Sequence, residues 1–346
     1  MTPVRISEIG KFVGQVVTIR GWLYNHRSSG KIRFLEMRDG SSSTLQCVVS
    51  ANDADPASFA LSGELTQESS LVVTGLAKAH PKKPGVFEMD VHKIELVQKA
   101  EANYPISHKE HGPEHLMQHR HLWLRTPRQV AIARLRAGIV KSIRDFFDSR
   151  DFVLMDAPIL TPSACEGTST LFATDYFDER AYLTQSGQLY GEVGAMAFGK
   201  TYVFGPTFRA EKSKTRKHLT EFWMVEPEVA FWSLEENMTL GEQLVTGIMR
   251  DALSRHQQEL HLLGRDISTL EKIAEGGFPR VHYNDCVELL NKNGHPFKWG
   301  EDFGAPEETK IGNLFGDKPV WIHHFPKEIK SFYFKDRKST RLNSSH

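Results

Sequence analysis

The chain has 346 residues, enough for two domains, and its 43 lysines and arginines are balanced by 43 aspartates and glutamates. That neutrality excludes a global field tuned to a polyanion, while leaving room for local basic loops to hold phosphate. Three scattered cysteines (Cys47, Cys165, Cys286) argue against a disulfide framework, and the chain shows neither an apolar run of membrane length nor a signal-peptide core, so a cytoplasmic location is expected.

The first hundred residues read as β structure. "QVVTIRGWLY", "IRFLEMRDG", "TLQCVVS", "SLVVTGLAKA" and "VFEMDVHKIELV" are short alternating or β-branched runs separated by Gly, Ser, Asp and Pro. Five strands in so short a span predict a small barrel of the oligonucleotide-binding kind over residues 1–100, with a small β-sandwich as the plainer alternative. Residues 101–127 form a polar hinge. Its five histidines (His108, His111, His115, His119, His121) raise the question of a metal site, but no cysteine joins them and Gly-Pro interrupts any single helical face. A solvated hinge with no metal is expected.

From Val130 the period changes. Ile132, Leu135, Ile139, Ile143 and Phe146 recur at steps of three and four, predicting an amphipathic helix over 130–150. "FVLMDAPIL" reads as a strand containing Pro158, which its missing donor confines to an edge or interface. "RAYLTQ", "KTYVFGPTFRAE" and "TEFWMVEPEVAFW" read as further strands. "LEENMTLGEQLVTGIMRDALSRHQQEL" and "STLEKIAEG" read as helices, and "PVWIHHFP" as a last strand. Blocks of helices with a mainly antiparallel sheet imply an α+β fold.

Residues 194–201, "GAMAFGKT", satisfy the phosphate-loop pattern letter for letter. The pattern requires a strand before it and a helix after it. Here Leu189, Val193, Met196 and Ala197 lie at helical spacing before the motif, and "TYVFGPTF" after it is strand-like. The order is reversed, so Gly199 is expected to cap a buried helix, with Lys200 in its last turn, and ATP is expected elsewhere.

The densest signal is "GPTFRAEKSKTRKHLTEFWMVEPEVAF", in which two apolar strands flank a loop bearing Lys212, Lys214, Arg216, Lys217 and His218. Such a basic hairpin suits a polyphosphate and the end of a nucleic acid. Arg209 and Glu211, two apart on a strand, are expected to share a face. A solvated hairpin would account for the lysines, but not for Arg209, Glu211, Glu221, Glu226 and Glu228 inside apolar strands, where charge is costly unless paired or used.

"FRAE…RKHLTEF" resembles motif 2 of the class II aminoacyl-tRNA synthetases, in the aspartate/asparagine/lysine subgroup. The 130–150 helix and the strand with Pro158 resemble motif 1, the dimer-forming element, and the N-terminal barrel resembles the subgroup's anticodon-binding domain. "TPSACEGTSTLF", "LTQSGQLYGE" and "EFWMVEPEVAF" are together most similar to the asparaginyl branch. The resemblance implies an OB-fold barrel followed by an incomplete class II antiparallel-sheet catalytic domain over 128–336. It also implies a homodimer, ATP and Mg2+ as cofactors, activation of L-asparagine, and transfer to tRNA(Asn).

Residue by residue, the resemblance implies that Arg209 holds the ATP α-phosphate and the reacting carboxylate, that Glu211 orients ATP, and that His218 approaches the distal phosphates. Phe222 would stack on adenine while Glu221 accepts from its amino group. Glu166 would bind the substrate's α-ammonium, with Gln188 close by. In the barrel, Phe34 would stack on an anticodon base and Gln46 would read the central uridine. Aspartyl members place a lysine where this chain has Gly191, and an aspartate where it has Glu226. Loss of the cation makes an aspartate side chain costly to bury, which favours asparagine. The alternatives are an aspartyl or non-discriminating enzyme and an inactive tRNA-binding fragment. The second follows from the C-terminus: family members continue beyond "FPKEIKSFYF" with the motif 3 arginine, whereas this chain ends "KDRKSTRLNSSH", and residues 337–346 read as a non-family tail. On that reading the chain as written activates its amino acid poorly.

Overall fold

The computed structural model describes residues 3–162, 171–212, 219–316, 318–331 and 333–335. It divides into two compact units, Met1–Gly138 with Arg255–Arg265, and Ile139–Ser254 with Asp266–His346.

In the first unit β1 (Val16–Ser29), β2 (Ile32–Arg38), β3 (Thr44–Ser50), β4 (Ser70–Ala79) and β5 (Phe87–Gln98) close a barrel in the order β1-β2-β3-β5-β4. Neighbours are antiparallel except β3 and β5, whose parallel pairing of Gln46 with Glu88 and Val48 with Asp90 completes the ring. The alternation that predicted the strands is the alternation of the barrel. Ile19, Leu23, Leu35, Met37, Leu45, Val49, Leu71, Val73 and Met89 are all buried inside it, each such side chain contributing about 1.5–3 kcal/mol. Gly21 and Gly75 mark tight crossings, because a Cβ at either would stand 2.3 Å from the Arg38 carbonyl oxygen or 2.2 Å from that of Asp90. Below the barrel, Glu68 accepts from Arg38 Nε at 2.9 Å and from Arg125 Nη1 at 3.1 Å.

A short helix that the strand pattern did not suggest, α1 (Pro56–Ser62), follows β3, with Asp55 accepting from the Ser58 amide as its cap. The hinge carries α2 (Pro113–Gln118) and α3 (Arg120–Trp123). The His111 and His115 rings stack 4.6 Å apart, and those of His115 and His119 lie 4.5 Å apart.

The long amphipathic helix is α4 (Pro127–Asp148). Its last turns belong to the second unit, where Phe146 and Phe147 join Phe152, Tyr202, Phe204 and Leu240 in the core. The Tyr202 ring stacks on Phe147 at 4.6 Å, and its hydroxyl donates to Asp148 at 2.8 Å. The strand expected through Pro158 is not continuous: β6 (Val153–Leu154) and β7 (Leu160–Thr161) are separate, with the proline between them. With no N–H to give and a restricted preceding residue, Pro158 sits where the chain passes from one sheet to another. β7 joins β8 (Ala173–Tyr176) and β9 (Glu179–Leu183) in an antiparallel sheet.

The central hairpin follows α5 (Gln188–Phe198) and consists of β10 (Lys200–Phe208) and β11 (Glu221–Val229), with β6 parallel to β10. Beyond it α6 (Leu234–Arg255) ends at His256, whose backbone (φ −126°, ψ 28°) interrupts the single helix expected there, and α7 (Gln257–Leu262) restarts the run. α8 (Ile267–Glu275) precedes a small satellite core that the sequence reading largely missed. There β12 (Arg280–His282) pairs in parallel with β13 (Trp321–His323). α9 (Tyr283–Lys292) and α10 (Ala305–Leu314) bury Cys286, Leu290 and Ile311 beside that pair.

Candidate functional site

The β10–β11 register decides which side chains can act together. Thr207 faces Phe222, Gly205 faces Met224, Val203 faces Glu226 and Thr201 faces Glu228. Alternation sends Tyr202, Phe204, Val225 and Val229 into the core cluster. The other face therefore carries Thr201, Val203 and Thr207 from one strand and Phe222, Met224, Glu226 and Glu228 from its partner. β10 ends at Phe208, one residue before Arg209, but the Arg209 amide still donates to Thr220 O at 3.0 Å, extending the ladder by a step. The Arg209 guanidinium carbon lies 5.6 Å from the centre of the Phe222 ring, so the two share the non-core face.

Two expectations change here. Glu211 lies beyond the strand, so its sharing a face with Arg209 does not follow from strand pleating. Glu221 is the neighbour of Phe222 in β11 and leaves on the opposite face, so the two side chains do not form one purine clamp. Glu166 and His218 lie outside the described residues, as do Lys214, Arg216 and Lys217 of the basic loop.

α5 lies against this face through glycine. A Cβ on Gly187 would stand 2.4 Å from Val203 Cγ1, and one on Gly194 would stand 3.0 Å from both Met155 Cγ and Thr201 Cγ2. Thr201 Oγ1 donates to the Gly191 carbonyl at 2.9 Å. The helix therefore buries Gly191, Gly194 and Ala195 and leaves Val193 71% and Met196 89% exposed, the reverse of the expected buried stripe. Periodicity alone favoured the large side chains, whereas close backbone approach favours the glycines. The helix–turn–strand order at the phosphate-loop look-alike stands: Gly199 (φ +80°) closes α5 by donating to Ala195 O at 2.8 Å, and Lys200 opens β10 rather than ending the helix.

The carboxylates at the foot of α5 have distinct surroundings. Glu226 is buried; one oxygen accepts from Ser186 Oγ and the other from the Gly187 amide at 2.9 Å, fixing the start of the helix. Gln188 donates from Nε2 to Glu192 at 2.9 Å. Glu228 lies under Gly191, where an added Cβ would stand 3.1 Å from its Cγ. Burial, reinforced by the charges of Glu192 and Glu226, pushes its carboxyl up to about 7.

On the barrel, Phe34 and Gln46 occupy outward positions of β2 and β3. The Arg27 guanidinium carbon lies 4.1 Å over the Phe34 ring, and its Nη2 donates to Gln46 Oε1 at 3.2 Å. Gln46 Nε2 in turn donates to Glu88 at 3.1 Å. A concavity of about 270 Å³ runs beside them, walled by Asn25, Glu36, His80 and Lys83. Sequence reading missed Arg27 and Glu88, though the hairpin register, which places Arg27 opposite Phe34, is the signal that finds the arginine.

A closed five-stranded barrel, followed by an antiparallel hairpin with an arginine and an aromatic ring on one face and a basic connecting sequence, defines a class II aminoacyl-tRNA synthetase with an OB-fold domain. The sequence model for class II tRNA synthetases (D, K and N) matches residues 112–345, running into the segment read above as a tail, and that for OB-fold nucleic acid binding domains matches residues 17–97. The chain belongs to this synthetase family. It is 55% identical to the asparagine–tRNA ligase of Pelotomaculum thermopropionicum, over 97% of this chain and 77% of that protein. To the asparagine–tRNA ligase of Thermus thermophilus it is 49% identical, over 96% of this chain and 77% of that protein. The fold superposes on asparaginyl-tRNA synthetase from Pyrococcus horikoshii complexed with asparaginyl-adenylate, with a TM-score of 0.89 and 36% identity, covering 99% of this chain and 79% of the other.

Proposed function

We propose that this chain activates L-asparagine with ATP, forming asparaginyl-adenylate and pyrophosphate, and passes the asparaginyl group to tRNA(Asn) in the cytoplasm. The observation that carries this reading is the placing of Arg209 and Phe222 on one face, 5.6 Å apart, above the carboxylates of β11.

The α-carboxylate oxygen of asparagine attacks the α-phosphorus, the bond to the bridging oxygen breaks, and pyrophosphate leaves. A ribose hydroxyl of the tRNA terminus then attacks the activated carbonyl and AMP leaves. Neither step needs a protein nucleophile; both need positioning and a fixed cation beside developing negative charge. Arg209 supplies that cation at the α-phosphate, and Phe222 holds adenine. Glu211 and His218 help place the phosphates, while Glu221, turned to the other face, has no side-chain part in holding the purine. Glu166 and Gln188 receive the amino acid's α-ammonium end, with Gly191 and Glu226 at its side chain. On the barrel, Phe34 stacks an anticodon base and Gln46 reads the central uridine.

Among the described residues no group of three or more His, Cys, Asp or Glu is arranged to hold a metal ion. In this reading Mg2+ arrives on the phosphates of ATP, and no step runs through it. Dimerisation is assigned to α4 and the segment around Pro158. Asparagine-dependent ATP–pyrophosphate exchange, followed by charging of tRNA with asparagine and with aspartate, tests the reading. Exchange driven equally by aspartate would assign the chain to a non-discriminating enzyme instead.

A further inference from the structure

One turn of the barrel holds three other parts of the chain. Between β2 and β3, residues 39–43 read "DGSSS", a run with no large side chain to bury. Asp39 Oδ2 accepts from the Ile6 amide at 2.8 Å and its Oδ1 from the Ser41 amide at 2.9 Å, which fixes the turn from within. Gly40 (φ +81°) gives its carbonyl to α4, where Arg134 Nε donates to it at 2.9 Å. The buried Ser42 hydroxyl donates to Glu259 Oε1 of α7 at 2.6 Å, across 217 residues of chain. Glu259 is itself buried, and His256 Nδ1 stands 3.6 Å from its second oxygen. The His256 ring lies against α4, where a Cβ on Gly138 would stand 1.9 Å from its Nε2.

Residues 255–265 lie in the chain between segments of the second unit, yet they pack as part of the first. The chain therefore passes from one unit to the other after 138, after 254 and after 265. The strands on either side of the turn carry Phe34 and Gln46, the two residues proposed to receive the anticodon. A buried carboxylate is costly unless engaged, and Glu259 is engaged by that turn although a solvated residue would serve a helix of six residues as well. We infer that Ser42 and Glu259 are positioning residues for the charging step: they clamp the turn between the two anticodon-reading strands to α7, so that a tRNA held by Phe34 and Gln46 brings its acceptor end correctly to the adenylate. This rests on the tRNA-charging function above and gives neither residue a part in the chemistry.

The clamp acts on transfer and not on activation. Activation uses Arg209, Phe222 and α5, all of the second unit, and needs nothing from the turn. Transfer to a whole tRNA needs the anticodon-bound molecule in place. A hydrogen bond to a charged group is worth about tenfold or more in an equilibrium, and a displacement of about 1 Å in a positioning element costs about 10²-fold in rate. Loss of the clamp should therefore lower kcat for charging whole tRNA(Asn) by about ten- to a hundredfold. Affinity for an isolated anticodon stem-loop, which Phe34 and Gln46 read, should stay as it is.

The experiment compares wild type, Ser42→Ala, Glu259→Ala, the double variant, and Glu259→Gln, which keeps an acceptor for the Ser42 hydroxyl. Four quantities are read: asparagine-dependent ATP–pyrophosphate exchange, kcat and KM for charging whole tRNA(Asn), anisotropy binding of the anticodon stem-loop, and amide hydrogen exchange of residues 257–262 with and without that stem-loop. In Ser42→Ala and Glu259→Ala, pyrophosphate exchange and stem-loop affinity should match wild type while kcat for whole tRNA falls at constant KM. The double variant should be no worse than either single one, and Glu259→Gln should recover most of the loss. Stem-loop binding should slow amide exchange in α7 of wild type and leave it unchanged in Ser42→Ala. A merely structural role would weaken stem-loop binding and raise KM instead. Unchanged kcat for whole tRNA, losses that multiply in the double variant, or α7 amides in wild type indifferent to the stem-loop overturn the proposal. The last of these decides it even if Glu259→Ala does not fold. Absence of asparagine-dependent exchange in wild type overturns the functional reading, while the α7 amides still judge the clamp, so the two failures are distinct.

Discussion

Replacing Gly187 by alanine probes whether the proposed amino-acid pocket is set by direct contact between the start of α5 and β10. The backbone there (φ −85°, ψ 1°) suits any residue, so the perturbation is purely steric. The new methyl would stand 2.4 Å from Val203 Cγ1, 2.9 Å from its Cβ and 3.0 Å from its Cγ2. Carbon atoms pack at about 3.5–4.0 Å, so the first turn of α5 must lift by about 1 Å. Overpacking of this kind costs about 1–3 kcal/mol of stability. The same lift stretches the 2.9 Å bond from the Gly187 amide to Glu226 and moves Gln188 and Gly191. A displacement of about 1 Å in positioning groups costs about 10²-fold in rate. Asparagine-dependent exchange should therefore fall about 10²-fold in kcat/KM, with a lower urea midpoint. The double variant with Val203→Ala, which removes both methyls but keeps the Cβ at 2.9 Å, should recover part of the loss as a positive coupling. An alanine at 187 that keeps wild-type kcat/KM, or a loss that Val203→Ala does not relieve, would refute the steric argument.

Glu68→Ala should destabilise the barrel by about 3–5 kcal/mol in denaturant melts, because it strands the buried Arg38 guanidinium, whose side chain is 9% exposed. Phe34→Ala should weaken binding of an anticodon stem-loop by about 1–3 kcal/mol in a fluorescence-anisotropy titration, with Phe34→Trp retaining affinity. Glu228→Gln should change the pH dependence of stability. The native carboxyl, pushed from 4.5 to about 7, binds more protons than the unfolded one in that window, so wild-type stability falls as pH rises through it. The glutamine variant lacks this slope; relative to wild type its gain should be near zero at acid pH and about 2 kcal/mol at pH 8 after allowance for solvent screening. Parallel stability curves for the two proteins would count against the assigned environment of Glu228.

The barrel was legible because each strand buries one face, so its pattern repeats every second residue, as in "SLVVTGLAKA". Motif 2 was legible because charged residues interrupt two apolar strands. α5 was misread for a physical reason: hydrophobic periodicity registers large side chains, and this helix packs through positions that have none. Of the satellite core only β13 was read, as "PVWIHHFP"; the rest was missed although Tyr283, Cys286, Val287 and Leu290 lie at helical spacing, because β12 is three residues long and meets its partner only across a long stretch of chain. The anchoring of the start of α5 by Glu226 could not be read at all. It depends on which carboxylate the Ser186–Gly187 turn reaches, and that is a property of the folded hairpin.

The three glycines of the α5 contact are not equivalent under mutation. At 187 and 194 a methyl would strike β10 or Met155, whereas at 191 the tightest neighbour is the movable stem of Glu228, at 3.1 Å. The outer two hold the frame, and the middle one is free to vary. A single-codon change to a small side chain at 191 can thus be taken up by a shift of the Glu228 stem, while the scaffold around it keeps its shape.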